Sequence, residues 1–216
     1  PTDIAVAPSI LSCDFLHMQD ELSSIEESGG DIVHLDVMDG DFVPNISFGP
    51  PVIKSARAGT KLPMIAHLMI YNPLQYAEVI AEYGIEGISF HIEAVEDHWE
   101  TLDKIRSFGV DAGIAIKPGT PLKEAEKLSE LCDFILIMSV NPGFSGQGFM
   151  EIALPKIEKI ANIRSRKGLD ILIEVDGGIN DITGKRCRDA GANILVSGNY
   201  FFKSENRAES IRSLRK

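Results

Sequence analysis

The 216 residues carry 21 Lys and Arg against 32 Asp and Glu, and the net charge of −11 argues against a nucleic-acid partner or an anionic membrane surface. The composition is that of an ordinary globular chain, and no apolar run is long enough to span a bilayer. Three cysteines, Cys13, Cys132 and Cys187, are odd in number and lack CxxC spacing, which argues against a disulfide framework and for a reducing compartment. The expected location is cytoplasmic. Organelle import stays open, because a start at Pro1 fits either a removed Met or a cleaved transit segment.

In chain order, short β-branched runs at 4–7, 32–37, 64–68, 87–91, 111–116, 134–138, 171–175 and 194–197 read as strands. Between them, 16–27, 74–83, 98–108, 122–131 and 155–166 have helical spacing, and 205–214 reads as the last helix. Gly30, Gly84, Gly109 and Gly191 stand where helices should stop before the next strand. Eight strands alternating with helices predict an α/β fold, a single (β/α)8 TIM barrel over residues 1–216 with no second domain.

Active sites in such barrels lie at the C-terminal strand ends. His34 and Asp36 share one face of the second strand, because strand side chains two apart point the same way. Alone, the pair reads better as a satisfied buried polar pair or an ordinary ion pair. The third strand, however, ends near His67, the fourth at His91 and the seventh at Asp176, while strand interiors are apolar. Two imidazoles and two carboxylates, His34, Asp36, His67 and Asp176, form a plausible ligand set for a divalent metal with room for substrate oxygens. Zinc is favoured among zinc, iron(II), manganese and cobalt. Glycines gather after the last three strands: Gly143, Gly146 and Gly148, then Gly177 and Gly178, then Gly198. Each could be a mere tight turn, but together their N–H groups predict a phosphate cradle.

These residues carry a resemblance. Ala7-Pro-Ser-Ile-Leu11, His34-Leu-Asp-Val-Met-Asp-Gly-Asp-Phe-Val-Pro-Asn45, His67-Leu-Met69, His91-Ile-Glu93, Val140-Asn-Pro-Gly-Phe-Ser-Gly-Gln147 and Glu174-Val-Asp-Gly-Gly178 resemble, in order, the motifs of ribulose-phosphate 3-epimerases. The resemblance implies a TIM barrel of the ribulose-phosphate-binding type, interconverting D-ribulose 5-phosphate and D-xylulose 5-phosphate in the pentose phosphate pathway. It implies that His34, Asp36, His67 and Asp176 hold the metal, with Asp36 and Asp176 as the acid/base pair. It also implies that Ser9 and His67 touch substrate and that Met38, Met69 and Met138 line the site. Phosphate would be held by Gly143, Phe144, Ser145, Gly146, Gly177, Gly178, Gly198 and Asn199. Two positions depart from the family pattern: Ser145 stands where Gly is usual, and Asn199 where Ser is usual.

Inverting C3 of a 2-keto sugar requires proton removal on one face and delivery on the other, which two flanking carboxyl groups can perform. Within the class, an epimerase of allulose 6-phosphate is the alternative; outside it, a non-catalytic sugar-phosphate-binding barrel. A sugar phosphate is the expected partner, and a homo-oligomer the expected assembly. Other residues read as structural. Asp39 and Asn45 should order the loop after the second strand, Lys117 belongs to a Pro-Gly turn, and His17 and His98 should be surface residues. His91 could support the ligands from behind but reads better as a satisfied polar residue at a strand end, and the cysteines read as buried thiols.

Overall fold

The computed structural model describes residues 4–216; the first three positions of the predicted domain lie outside the described residues. Eight parallel strands run β1 Ala5–Pro8, β2 Val33–Met38, β3 Met64–Met69, β4 Gly87–His91, β5 Asp111–Ile116, β6 Phe134–Met138, β7 Leu172–Asp176 and β8 Ile194–Ser197. Each pairs with its sequence neighbour from β2 through β8, and β8 returns to β1, with Ala5 opposite Ile194. The last seam, between β1 and β2, is held by a parallel bridge from Ser9 to His34 and by Asp31 N donating to Val6 O at 3.0 Å. The predicted (β/α)8 barrel is therefore the observed one.

Helices α1 Met18–Glu27, α2 Pro50–Gly59, α3 Leu74–Ala81, α4 His98–Ser107, α5 Lys123–Leu128, α6 Ala153–Lys167, α7 Asp181–Asp189, α8 Asn199–Phe202 and α9 Arg207–Arg215 cover the outside. Two of the longer ones escape the apolar periodicity. Residues 50–59 open with two prolines at the first helical positions, which suit a helix start but look like a loop. Residues 181–189 are mostly polar; what starts that helix is a capping box, in which Asn180 accepts from Thr183 N while Thr183 Oγ1 accepts from Asn180 N. At the other helices the predicted ends shift by a few residues. The segment 16–27 begins as a 3-10 turn through His17, and α5 stops at Leu128. Among the described residues, no helix is long and apolar enough to cross a membrane.

The strands are apolar on both faces because both are covered. Leu35, Leu68, Ile114, Ile135, Ile137 and Val175 pack outward against helices. Ala7, Ile65, Ala115, Phe134, Leu136, Met138 and Val196 fill the barrel interior. The Phe134 ring fits because β5 offers glycine opposite it: a Cβ on Gly113 would lie 2.5 Å from that ring. Along β2 the same alternation sends Leu35 and Val37 outward and His34, Asp36 and Met38 toward the interior. The fold thus aims the polar residues of β2 at the axis. A single ammonium organises the loop after β5: buried Lys156, on α6, donates to the carbonyl oxygens of Lys117 (3.0 Å), Pro118 (2.7 Å) and Thr120 (2.7 Å).

Candidate active site

Asp36 is the centre of the site. Its Oδ2 accepts from the Ser9 hydroxyl at 2.5 Å, and its Oδ1 lies 3.0 Å from His67 Nδ1 and 3.3 Å from His34 Nε2. His67 Nδ1 is also 3.8 Å from Asp176 Oδ2. One ligand atom from each of His34, Asp36, His67 and Asp176 falls within 4.8 Å of all the others. Register makes this possible, since Asp36 is paired with His67 across β2 and β3, and Met138 with Asp176 across β6 and β7. Ser139 fixes the end of β7, its N–H donating to Asp176 O at 2.7 Å and its hydroxyl to Gly177 O at 2.6 Å.

Could these residues hold a cation? His34 Nδ1 bonds Glu174 Oε1 at 3.0 Å, while His34 Nε2, fully buried and aimed at the cluster, makes no hydrogen bond among the described residues. Glu174 is itself fully buried and leaves Oε2 without a partner. Buried carboxylates at such density are costly unless positive charge joins them. The donor set, two imidazoles and two carboxylates, suits a borderline divalent metal, and Glu174 orients His34 as carboxylates commonly orient metal-binding imidazoles. The cluster could hold such an ion.

The two catalytic candidates differ in proton affinity. Burial acts to raise the Asp36 pKa, but the neighbouring imidazoles, His34 before His67, outweigh it and hold the group well below the usual carboxylate range. Burial and then the charge of Asp36 both push Asp176 well above that range. For His34, burial favours the neutral ring, yet Asp36 and Glu174 prevail and raise its pKa. Burial dominates at His67 and lowers it to about 4, against the nearby Asp36 carboxylate.

A cleft of about 340 Å³ opens above the cluster, lined by Ser9, Asp36, Met38, Met69, Met138 and Asp176 on the barrel side. Its other wall is the glycine-rich loops, with Gly143, Phe144, Ser145, Gly146, Gly148, Gly177, Gly178, Gly198 and Asn199 all in the lining. Glycine is required at two of these. Gly177 has φ +121° and its Cβ would meet Val140 at 2.5 Å; Gly178 has φ +63° and its Cβ would lie 2.5 Å from Phe149 N. His34 and His67 sit beneath the cleft surface, entirely buried.

The loop residues behave as expected. Asp39 Oδ1 accepts from Asp41 N and Phe42 N, and its Oδ2 from Tyr71 N, joining the loops after β2 and β3. Asn45 Nδ2 donates to Gly143 O at 2.8 Å, joining the loops after β2 and β6. Lys117 stands over the Phe42 ring, 3.7 Å from its centroid. His17 is exposed, but His98 is half-buried and bonds Ile92 O at 2.9 Å, so it is not a free surface residue. Cys132 and Cys187 are buried, whereas Cys13 is only half-buried. Sequence reasoning assigned no role to Glu174, whose spacing of two from Asp176 was the available signal, nor to Gln147, Asn180, Thr183 and Tyr200, which also line the cleft. His91 is satisfied, as expected, but its partners include a site residue: Nε2 lies 2.9 Å from His67 Nε2 and Nδ1 3.0 Å from Glu93 Oε2.

Comparison with known proteins agrees with this arrangement. The chain is 42% identical over 213 residues to the ribulose-phosphate 3-epimerase of Bacillus subtilis, covering 98% of both chains. It is 45% identical over 215 residues to that of Synechocystis, covering 99% of this chain and 94% of the relative. Among solved structures, KGPDC from Streptococcus mutans superposes with a TM-score of 0.72 at 11% identity, covering 98% of this chain and 95% of that one. A tryptophan synthase α-subunit from Pyrococcus furiosus reaches 0.71 at 14%, covering 99% and 97%. At such identities these two speak for the barrel alone. The model of the Ribulose-phosphate 3 epimerase family matches residues 5–202, and the chain belongs to that family.

Proposed function

We propose that this enzyme interconverts D-ribulose 5-phosphate and D-xylulose 5-phosphate by two-base proton transfer at C3, a step of the pentose phosphate pathway. The observation that carries the reading is the pair Asp36 and Asp176, which face one cleft with opposite proton affinities. Asp36, whose pKa is lowered, suits the base; Asp176, whose pKa is raised, suits the acid, and the roles exchange in the reverse direction. The relatives' names and the family match support the substrate.

Ser9 positions Asp36 through its hydroxyl and is placed to contact the sugar beside it. Met38, Met69 and Met138 exclude water without competing for hydrogen bonds, since a thioether accepts only weakly. The phosphate belongs against the backbone N–H groups of Gly143 to Gly146, Gly177, Gly178, Gly198 and Asn199, where glycine lets the chain approach an anion closely. A divalent cation, zinc in preference, bound by His34, Asp36, His67 and Asp176 would supply Lewis-acid stabilisation of the negative charge that develops on the sugar oxygens.

The test is a coupled assay on D-ribulose 5-phosphate in D₂O, before and after chelation. Product bearing deuterium at C3, and activity lost on chelation and restored by metal, are expected. Product without deuterium would sink the two-base scheme, and full activity after exhaustive chelation would remove the metal. Preference for the hexulose phosphate over the pentulose would reassign the sugar.

A further inference from the structure

Partly buried Glu93 and fully buried His91 form a chain that ends on His67, and the polarity of each hydrogen bond follows from its partners. Glu93 Oε1 accepts from Lys117 N at 2.8 Å and from the Thr120 hydroxyl, leaving Oε2 to face His91 Nδ1 at 3.0 Å. A carboxylate only accepts, so His91 carries its proton on Nδ1. With that proton on Nδ1, His91 leaves Nε2 to face His67. Across 2.9 Å lies His67 Nε2, and two facing ring nitrogens bond only if one carries a proton. His67 turns its other nitrogen, Nδ1, toward Asp36 Oδ1 at 3.0 Å and Asp176 Oδ2 at 3.8 Å, so it is Nδ1 that would meet a cation, and a ligating nitrogen must be unprotonated. With the ring proton on Nε2, His67 donates to His91 Nε2, which can accept because His91 keeps its own proton toward Glu93.

We propose that Glu93 and His91 are positioning residues for the metal site: they hold the proton of His67 on Nε2 and so present its Nδ1 to a divalent cation. The proposal rests on the metal-dependent reading above. It makes a sharp demand of Glu93→Gln, which keeps the shape. Lys117 N–H can only donate and therefore keeps Oε1, so the new amide nitrogen must face His91 Nδ1. The chain then reverses, and the His67 proton moves to Nδ1, where the metal should bind.

The experiment measures zinc affinity of the metal-free protein against a chromogenic chelator, and the His67 tautomer from imidazole ¹⁵N shifts of the zinc-free protein. Glu93→Gln should weaken zinc binding about 10–100-fold, the usual scale for losing an outer partner of a metal-binding His. His91→Phe should weaken it comparably, and adding Glu93→Gln to His91→Phe should cost nothing more. The tautomer should be Nε2–H in the wild type and Nδ1–H in Glu93→Gln. Wild-type affinity with an unchanged tautomer in Glu93→Gln overturns the proposal. So does a Glu93→Gln penalty that persists undiminished without His91, since that would be a loop effect. If the wild type binds no zinc, the functional reading fails while the tautomers still judge the relay. Should His91→Phe not fold, the tautomer in Glu93→Gln decides alone.

Discussion

In the proposed reaction the two walls of the cleft would solve different problems with different parts of the chain. The wall from β1 to β4 works through side chains: His34, Asp36, His67 and His91 stand on strands, are almost wholly buried, and touch one another. The wall from β6 to β8 works through backbone: its loops carry Gly143, Gly146, Gly177 and Gly178 at positive φ, and Phe144 and Ser145 between them are exposed. Acid/base and metal chemistry depend on angstrom-scale placement of a few titrating atoms, which strands locked in register can supply. Holding an anion needs several N–H groups brought close, which side chains would obstruct. The first wall should accordingly be sensitive to chemistry and the second to shape.

Substitutions that preserve shape but alter chemistry should therefore be worst on the first wall and at Asp176. Asp36→Asn and Asp176→Asn are each expected to lower kcat by about 10²–10⁴-fold, the worth of a positioned acid or base. Near-normal turnover in the coupled assay would take that residue out of the mechanism and break the contrast. Next comes a change of shape on the second wall. Gly178→Ala forces a Cβ to within 2.5 Å of Phe149 N at a backbone φ of +63°. A stability loss of about 1–3 kcal/mol is expected by urea denaturation, together with a KM increase larger than any fall in kcat. A normal KM would mean that this loop does not hold the phosphate. The smallest effect should come from Ser145→Gly, at an exposed position whose φ is not positive. Stability should change by less than about 1 kcal/mol and KM by about twofold at most; a large KM shift would show that the Ser145 side chain, rather than the backbone, reads the ligand.

What the sequence discloses follows the same division. The eight strands are legible because burial on both faces makes them mostly apolar runs, and His34, Asp36, His67 and Asp176 stand out among the few polar residues in them. The spacing of two between His34 and Asp36 is a local signal, and strand geometry converts it into a shared face. The partnership of His34 with Glu174 has no such signal. The two residues are 140 positions apart, and only closure of the barrel brings them to 3.0 Å. His91 shows a related limit. Its sequence position marks it as a polar strand end needing satisfaction, but which groups satisfy it depends on the packing of β3, β4 and the loop after β5. Helices α2 and α7 are obscured for a local reason, since paired prolines and a polar, glycine-containing run both mask the apolar stripe.

The Lys156 ammonium also separates one loop from its surroundings. Three carbonyl oxygens converging on one positive charge is the arrangement proteins commonly offer to potassium or sodium, and here the charge arrives on a tether from α6. A dissolved ion exchanges with the medium, so a loop built around one inherits the medium's composition. A tethered ammonium cannot leave. The turn that supplies Lys117 N and the Thr120 hydroxyl to Glu93 is thereby made indifferent to which salts surround the protein.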